Sequence, residues 1–140
     1  MTTIHQDASA AILYFHGGAY VIGSAQAYRN FVGQVVARTK TAAFVPEYGL
    51  APERPFPAAV DDARAAYAGL VARGLTKIAL AGDSAGGGLA LVLFSLAVAQ
   101  ARQTGNSSPI CAAAMSPWTD LALAGETMRS RAEADPLPPR

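Results

Sequence analysis

The sequence predicts an α/β fold with a mainly parallel sheet of about four strands flanked by helices. Apolar runs of strand length alternate with longer segments of helical periodicity, and each run is apolar enough for burial on both faces. Strands that alternate with helices in this way pair in parallel through right-handed crossovers. The four predicted strands are residues 11–15, 42–46, 77–81 and 110–115.

Three helices connect these strands. The first follows Ser24, a good N-cap residue, and it ends near the basic residues Arg38 and Lys40, which suit the helix dipole. The second has Pro57 in its first turn, where proline is well tolerated. The third, residues 84–101, has no charge and approaches the length of a membrane span. Because it opens with glycines and lies between two strands, we interpret it as a buried helix and expect no membrane span.

Composition restricts the classes of function. The chain has 140 residues, 51% of them hydrophobic and 15% charged, and its net charge is +1, so we expect no nucleic-acid partner. The single cysteine, Cys111, lies in an apolar run, which predicts a buried, inert thiol. The sequence has no His/Cys cluster that would bind a metal, and we expect no cofactor. The N-terminus lacks the pattern of a secretory signal, which favours a cytoplasmic location. We expect one domain, residues 1–140, with irregular tails at residues 1–10 and about 134–140.

A G-x-S-x-G motif follows the third predicted strand and opens the third helix. It consists of Gly82, Asp83, Ser84, Ala85 and Gly86. The glycines permit a sharp strand-to-helix turn, which projects the serine hydroxyl from the top of the sheet. The motif predicts Ser84 as a catalytic nucleophile, with its three neighbours Gly82, Asp83 and Gly86 supporting the turn.

A second motif, HGGAY at residues 16–20, follows the first predicted strand. It resembles the HGGG-type oxyanion loop of lipases and esterases, in which small residues leave peptide N–H groups free for a developing oxyanion. His16 is expected to brace this loop rather than act as a base. The candidate oxyanion donors are the peptide N–H groups of Gly17, Gly18, Ala19 and Ala85.

These motifs belong to a series of blocks in a fixed order. The blocks are HGGAY at 16–20, YGLAPE at 48–53 running into PFPAAVDD at 55–62, GDSAGG at 82–87 and SPWTDL at 116–121. The series resembles the hormone-sensitive-lipase-like family of carboxylesterases and lipases, within the α/β-hydrolase superfamily, from residue 11 to about 137. The resemblance implies a partial α/β-hydrolase fold and a serine hydrolase that cleaves small-molecule esters through an acyl-enzyme. Ala19 and Gly49 stand where many members have glycine and arginine, and neither change removes a backbone donor.

The rest of a catalytic triad is missing from the sequence. In α/β-hydrolases the triad runs Ser, then Asp or Glu, then His, but only His5 and His16 occur here and both precede Ser84. Asp120 has no imidazole to orient, and Asp135, which precedes a proline, is interpreted as a turn residue. The adjacent carboxylates at 61–62 are interpreted as surface charges. We therefore predict that this chain corresponds to the central part of an esterase and is weak or inactive alone.

Two alternatives remain open at this point. The chain could be a non-catalytic module that binds a partner or itself, because the resemblance implies exposed sheet edges at the strands beginning at Ala42 and Ile110. A second chain could instead supply the aspartate and histidine in trans.

Overall fold

A computed structural model describes residues 9–131 and residue 133. Of the predicted tails 1–10 and about 134–140, residues 1–8 and 134–140 lie outside the described residues, whereas Ala10 is wrongly placed in a tail because it begins the first strand. The described part contains a four-stranded sheet with helices on both faces. The strands are β1 (Ala10–Phe15), β2 (Ala42–Phe44), β3 (Lys77–Asp83) and β4 (Cys111–Met115). The helices are α1 (Ala25–Thr39), α2 (Ala58–Ala72), α3 (Ser84–Thr104) and α4 (Glu126–Ser130).

The four strands are parallel and lie in the order β2-β1-β3-β4, which confirms the predicted fold class. The connection that leaves β1 runs to β2 at one edge, whereas the connection that leaves β3 runs to β4 at the other. Ligands of open α/β sheets bind at such a switch point, outside the carboxyl ends of the two neighbouring strands. Phe15 pairs with Gly82, so the segments that follow β1 and β3 begin at the same level.

The two central strands contribute most of the core. On one face of the sheet, α2 and α3 cover buried side chains that include Leu13, Phe15, Ile78 and Leu80. On the other face, α1 packs against β1 through a smaller cluster of Ile12, Tyr14 and Val32. Burial of a large apolar side chain contributes about 1.5–3 kcal/mol. The β1–β3 pair is therefore the most firmly held part of the sheet, and both candidate motifs follow it.

The helix ends follow the local sequence signals. The Ser24 hydroxyl accepts a hydrogen bond from the Ala27 N–H at 3.1 Å, which confirms the predicted N-cap of α1. At the other end of α1, Lys40 adopts the left-handed conformation of a C-cap residue, with φ 56°. α3 extends three residues beyond its predicted end because Gly105 supplies the same conformation there, with φ 72°.

The edge strands differ from the prediction. The prediction that every strand is buried on both faces is wrong for β2 and β4, where exposed and half-buried residues alternate. Each of these strands has a neighbour on one side only, so its outer edge has no cover within the described part of the chain. Cys111 is exposed rather than buried, because it begins the edge strand β4. The short helix α4 was not predicted.

Helix α3 is buried on one face rather than all round. Its buried residues begin with the run from Ala85 to Ala90 and continue at Leu93 and Ala97, whereas Leu91, Val92 and Leu96 are exposed. By length and composition alone, α3 is long and apolar enough to cross a membrane. Its glycine-rich start nevertheless lies against the sheet of this domain.

Candidate active site

Ser84 is the first residue of α3 and lies at the strand-to-helix turn that its motif predicts. Its φ of 50° is in the left-handed region, which costs a residue with a Cβ atom about 1–3 kcal/mol and persists where the surroundings fix it. One such constraint is the Trp118 N–H, which donates to the Ser84 carbonyl at 2.8 Å. The serine is half-buried, so the turn leaves it accessible from solvent.

Gly86 allows α3 to start directly against the end of β1. A Cβ atom at this position would overlap the carbonyl oxygens of Phe15 and His16. Only glycine can make this approach without moving a backbone. The close approach brings the turn that carries Ser84, the candidate nucleophile, beside the first residues of the loop that follows β1.

That loop has an unusual backbone. Gly18, Ala19 and Tyr20 have φ values of 124°, 54° and 63°, so three consecutive residues lie on the positive side of φ. The Gly18 carbonyl accepts two hydrogen bonds, from the N–H groups of Val21 and Ile22, at 2.9 Å each. This tight turn fixes the direction of the peptide groups at residues 18 and 19.

Three peptide N–H groups at the site are unpaired within the part of the chain that the structure describes. They belong to Gly18, Ala19 and Ala85. The first two lie in the β1 loop, and the third lies in the first turn of α3, where N–H groups have no partner inside the helix. The β1 loop is hydrogen-bonded to both neighbours of Ser84, through Asp83 and Ala85. Free peptide donors in segments joined around a serine are what stabilisation of a tetrahedral oxyanion requires.

The N–H group of Gly17 has a different role from the one predicted. It donates to Asp83 Oδ1 at 3.0 Å and lies 3.1 Å from the Tyr28 hydroxyl. Since this donor is already occupied, the structure corrects the assignment of Gly17 to the oxyanion hole. Gly17 instead connects the β1 loop to the nucleophile turn.

Asp83 is the centre of a hydrogen-bond cluster that the sequence analysis did not identify. The Tyr14 hydroxyl donates to Oδ1 at 2.8 Å, and the Tyr28 hydroxyl donates to Oδ2 at 2.9 Å. Burial, reinforced by the Asp83 carboxylate, raises the pKa of both tyrosines, so they remain neutral donors. The sequence feature that could have indicated this cluster is Tyr14, a tyrosine in the middle of an apolar strand. A buried tyrosine hydroxyl usually has a hydrogen-bond partner.

His16 is fully buried and braces the loop that follows β1. Its Nδ1 lies 2.7 Å from the Gly17 carbonyl oxygen, a contact that requires a proton on Nδ1 because a carbonyl can only accept. The ring stacks on Tyr48 at a centroid distance of 4.5 Å, and the Tyr48 hydroxyl donates to the His16 carbonyl at 2.6 Å. Its Nε2 has no partner among the described residues. The other histidine, His5, lies outside them.

The block at residues 116–121 packs over the nucleophile turn. Trp118 lies beside Tyr20, with ring centroids 6.3 Å apart, and its indole N–H donates to the Asp120 carbonyl. The Asp120 carboxylate accepts the backbone N–H groups of Ala122 and Ala124. Asp120 therefore braces its own loop, while Asp135 lies outside the described residues.

Asp62 is more than the surface charge that the sequence suggested. Its Oδ2 accepts the Gly49 N–H at 2.8 Å, and both its oxygens pair with the Arg54 guanidinium, at 2.5 and 2.9 Å. These contacts tie α2 to the loop that follows β2. The Arg54 guanidinium lowers the pKa of the Asp62 carboxyl. The pairing was not recognisable beforehand because the partners occupy different elements.

Comparison with known proteins gives a consistent result. A family model described as alpha/beta hydrolase fold matches residues 12–139. An acetyl-hydrolase of Streptomyces hygroscopicus is 41% identical over 122 residues, which are 86% of this chain and 40% of that protein. An esterase of Acinetobacter venetianus is 36% identical over 133 residues, which are 94% of this chain and 43% of that protein.

Solved structures match in the same way. The crystal structure of the esterase EstE5 with PMSF has a TM-score of 0.79 and 46% identity, over 94% of this chain and 44% of that one. An esterase from the bacterial hormone-sensitive lipase family has a TM-score of 0.79 and 40% identity, over 94% and 43%. The chain thus spans less than half the length of these relatives. It belongs to the α/β-hydrolase fold family, in the hormone-sensitive-lipase-like branch.

Proposed function

We propose that this chain contains the nucleophile and the oxyanion donors of a serine carboxylesterase that acts on small carboxylic esters. The supporting observation is that a half-exposed serine in a strained turn and three unpaired peptide donors lie at the carboxyl ends of two adjacent strands. The names of the relatives agree with this chemistry. Because one of them is an acetyl-hydrolase, we infer short acyl groups as substrates.

In the proposed reaction, the Ser84 oxygen attacks the ester carbonyl carbon and the carbonyl electron pair moves onto oxygen. The N–H groups of Gly18, Ala19 and Ala85 donate to that oxyanion, which then collapses to the carbonyl as the bond to the alcohol oxygen breaks. In this chain the proton lost by Ser84 passes to solvent, which protonates the departing alkoxide, and water then hydrolyses the acyl-serine and restores the Ser84 hydroxyl. Enzymes of this kind use a histidine to accept the serine proton. No histidine follows Ser84 in this sequence, and the His16 ring is buried and already engaged. We propose that the chain alone hydrolyses esters only weakly.

Hydrolysis of p-nitrophenyl acetate tests both parts of this proposal. Wild type is expected to turn over well below about 1 s⁻¹, the low end of ordinary enzymes, and Ser84→Ala to fall to the buffer rate. Ser95→Ala, which removes an exposed hydroxyl from the same helix, is the matched control and is expected to behave as wild type. Wild-type hydrolysis that survives Ser84→Ala would exclude Ser84 as the nucleophile. Ser84-dependent turnover above about 1 s⁻¹ would overturn the weak-activity part.

A second candidate function is association through the sheet edge at β4. Exposed apolar side chains cluster along and beside this strand, with Ile110 60%, Met115 42% and Leu121 58% exposed. An unpaired strand edge of this kind promotes pairing with another chain. Analytical ultracentrifugation tests this association. It compares wild type with Ala113→Lys on β4 and with a control, Ala99→Lys on the exposed side of α3. Loss of self-association in Ala113→Lys alone supports the edge, and a monomeric wild type contradicts it.

A separate candidate is that a second chain supplies the aspartate and histidine in trans. If a second polypeptide completes the site, mixing it with this chain should raise ester hydrolysis only when Ser84 is intact. Unchanged hydrolysis on mixing with the C-terminal part of a family esterase would contradict it.

A further inference from the structure

Two hydrogen bonds tie the loop after β1 to the nucleophile turn after β3. The Gly17 N–H donates to Asp83 Oδ1 at 3.0 Å, and the Tyr20 hydroxyl donates to the Ala85 carbonyl at 2.8 Å. Along the chain, Gly17 and Tyr20 flank residues 18 and 19, while Asp83 and Ala85 flank Ser84. The two bonds therefore bracket the candidate oxyanion donors on one side and the candidate nucleophile on the other.

We propose that Asp83 and Tyr20 are positioning residues, which fix the peptide donors of Gly18 and Ala19 in place against Ser84. This inference rests on the proposed esterase function of the same site. Neither side chain needs to touch the substrate in this role. Each acts through the backbone of the segment that it holds.

The orientation of Asp83 supports the proposal. Asp83 occupies the N-cap position of α3, where an aspartate usually accepts a hydrogen bond from the first turn of the helix, but its side chain makes no capping bond. The carboxylate turns toward β1 and α1 instead, where it accepts from Tyr14, Tyr28 and Gly17. As a result, the first N–H groups of α3 stay free for an external anion.

Tyr20 is held at both its backbone and its side chain. Its carbonyl accepts the Ala51 N–H at 2.8 Å, and its ring lies 6.4 Å from Tyr48 and 6.3 Å from Trp118. The hydroxyl can therefore transmit a fixed position from the β1 loop to the helix carbonyl. The loop needs such restraints, because positive φ at Ala19 and Tyr20 is unfavourable and an untethered backbone would relax.

The test uses n-butylboronic acid as the probe, with binding followed by amide NMR of the whole chain. The Ser84 oxygen adds to boron and releases its proton to buffer, which gives a tetrahedral anion that mimics the ester intermediate. Tyr20→Phe and Asp83→Ala are expected to weaken binding by about tenfold, the effect of losing one good hydrogen bond. Asp83→Asn, which still offers an acceptor to Gly17, should recover part of that loss. Tyr67→Phe is the matched control, because among the described residues the hydroxyl that it removes donates to the Ser107 carbonyl, away from the site.

Two readouts separate this proposal from the proposed function. If wild type and Ser84→Ala both fail to bind the boronate, the esterase function is contradicted, and the amide spectra without probe decide the positioning role. In Tyr20→Phe and Asp83→Ala the Gly18 and Ala19 amides should then shift and exchange with solvent faster, while Tyr67→Phe leaves them unchanged. If wild type binds the boronate, unchanged binding by a folded Tyr20→Phe variant would overturn the proposal. If wild type does not bind, unchanged Gly18 and Ala19 amide signals in that variant would overturn it. Both results decide the question even if Asp83→Ala does not fold.

Discussion

At the scale of single residues, the candidate site depends on backbone positions that tolerate little change. Gly18 has a φ of 124°. Its neighbour Ala19 also has a positive φ, which is less favourable for alanine than for glycine because alanine has a Cβ atom. Gly86 lies so close to the end of β1 that a methyl group would overlap two carbonyl oxygens. These positions place an accessible serine beside free peptide donors, and they do so at a cost in local strain.

Gly86→Ala is expected to lower the free energy of unfolding by about 1–3 kcal/mol, because the added methyl group overpacks the contact with Phe15 and His16. Gly33→Ala is the control, since Gly33 lies inside α1 and its added Cβ would meet no atom within 4 Å other than its chain neighbours and the backbone of its own helix. It should raise stability by about 0.5–1 kcal/mol, because alanine is the better helix former. Urea unfolding followed by circular dichroism measures both. Equal effects of the two substitutions would contradict the close approach at Gly86.

At the scale of elements, each connection ends in a contact that ties it to the next. The loop after β2 is held to α2 by Asp62, which accepts from Gly49 and Arg54. The turn after β3 is held to the loop after β1 by Asp83. In both cases a carboxylate accepts a hydrogen bond from a backbone N–H in a different element. This bond holds the loop that contains the N–H in place.

Asp62→Asn is expected to reduce stability at pH 7 by about 1 kcal/mol, through loss of charged hydrogen bonds at a partly exposed position. The Arg54 guanidinium lowers the pKa of Asp62 below the ordinary value of about 4, so this contribution is present above that pH. It disappears as the pH falls through the lowered pKa of the folded state. The difference between wild type and Asp62→Asn should therefore vanish in acid.

Asp61→Asn is the matched control for this pH series, since Asp61 is the exposed neighbour and its carboxylate forms no hydrogen bond or ion pair within the described residues. Its effect should stay within about 0.5 kcal/mol at every pH. A loss as large as that of Asp62→Asn would show that general charge, and not the contact with Gly49 and Arg54, sets the stability.

At the scale of the whole molecule, aromatic hydroxyls are concentrated around one end of the β1–β3 pair. Tyr14, Tyr20, Tyr28 and Tyr48 surround His16 and Asp83, and burial raises the pKa of all four. The cluster links the two faces of the sheet, because Tyr14 packs under α1 while Tyr48 belongs to the core beneath α2 and α3. Ionisation of any member would place a charge where the fold holds a neutral donor.

Stability is therefore expected to fall steeply above about pH 10, the ordinary pKa of tyrosine. A raised pKa in the folded state means that the contribution is complete below that pH and is lost as the pH rises toward the folded pKa. Tyr48→Phe should make the alkaline fall shallower, although it also lowers stability at neutral pH by removing the hydrogen bond to the His16 carbonyl. Thermal unfolding from pH 7 to 11 measures this. An identical alkaline slope in wild type and Tyr48→Phe would contradict the prediction.

Much of the fold was predictable from the sequence, because strand length, helical periodicity, the Ser24 cap and the glycine turns depend on residues close together along the chain. The same holds for Ser84 at the start of α3, since a G-x-S-x-G turn between a strand and a helix is a local pattern. Which strands lie at the edges depends on their order in the sheet, which no local pattern contains. Cys111 is an example. Its apolar run predicts a buried strand, but β4 pairs with a neighbour on one side only, and Cys111 is exposed.

Local sequence patterns were therefore enough for the fold class, the family and the place of the candidate nucleophile at the start of α3. The tertiary structure decided how the peptide donors are used. Gly17 and Asp83 lie 66 residues apart, and Tyr14 and Asp83 lie 69 apart, so their hydrogen bonds exist only because β1 and β3 pair in one register. That pairing occupies the Gly17 N–H and turns the Asp83 carboxylate away from α3. Within the part of the chain that the structure describes, it leaves the N–H groups of Gly18, Ala19 and Ala85 without a partner.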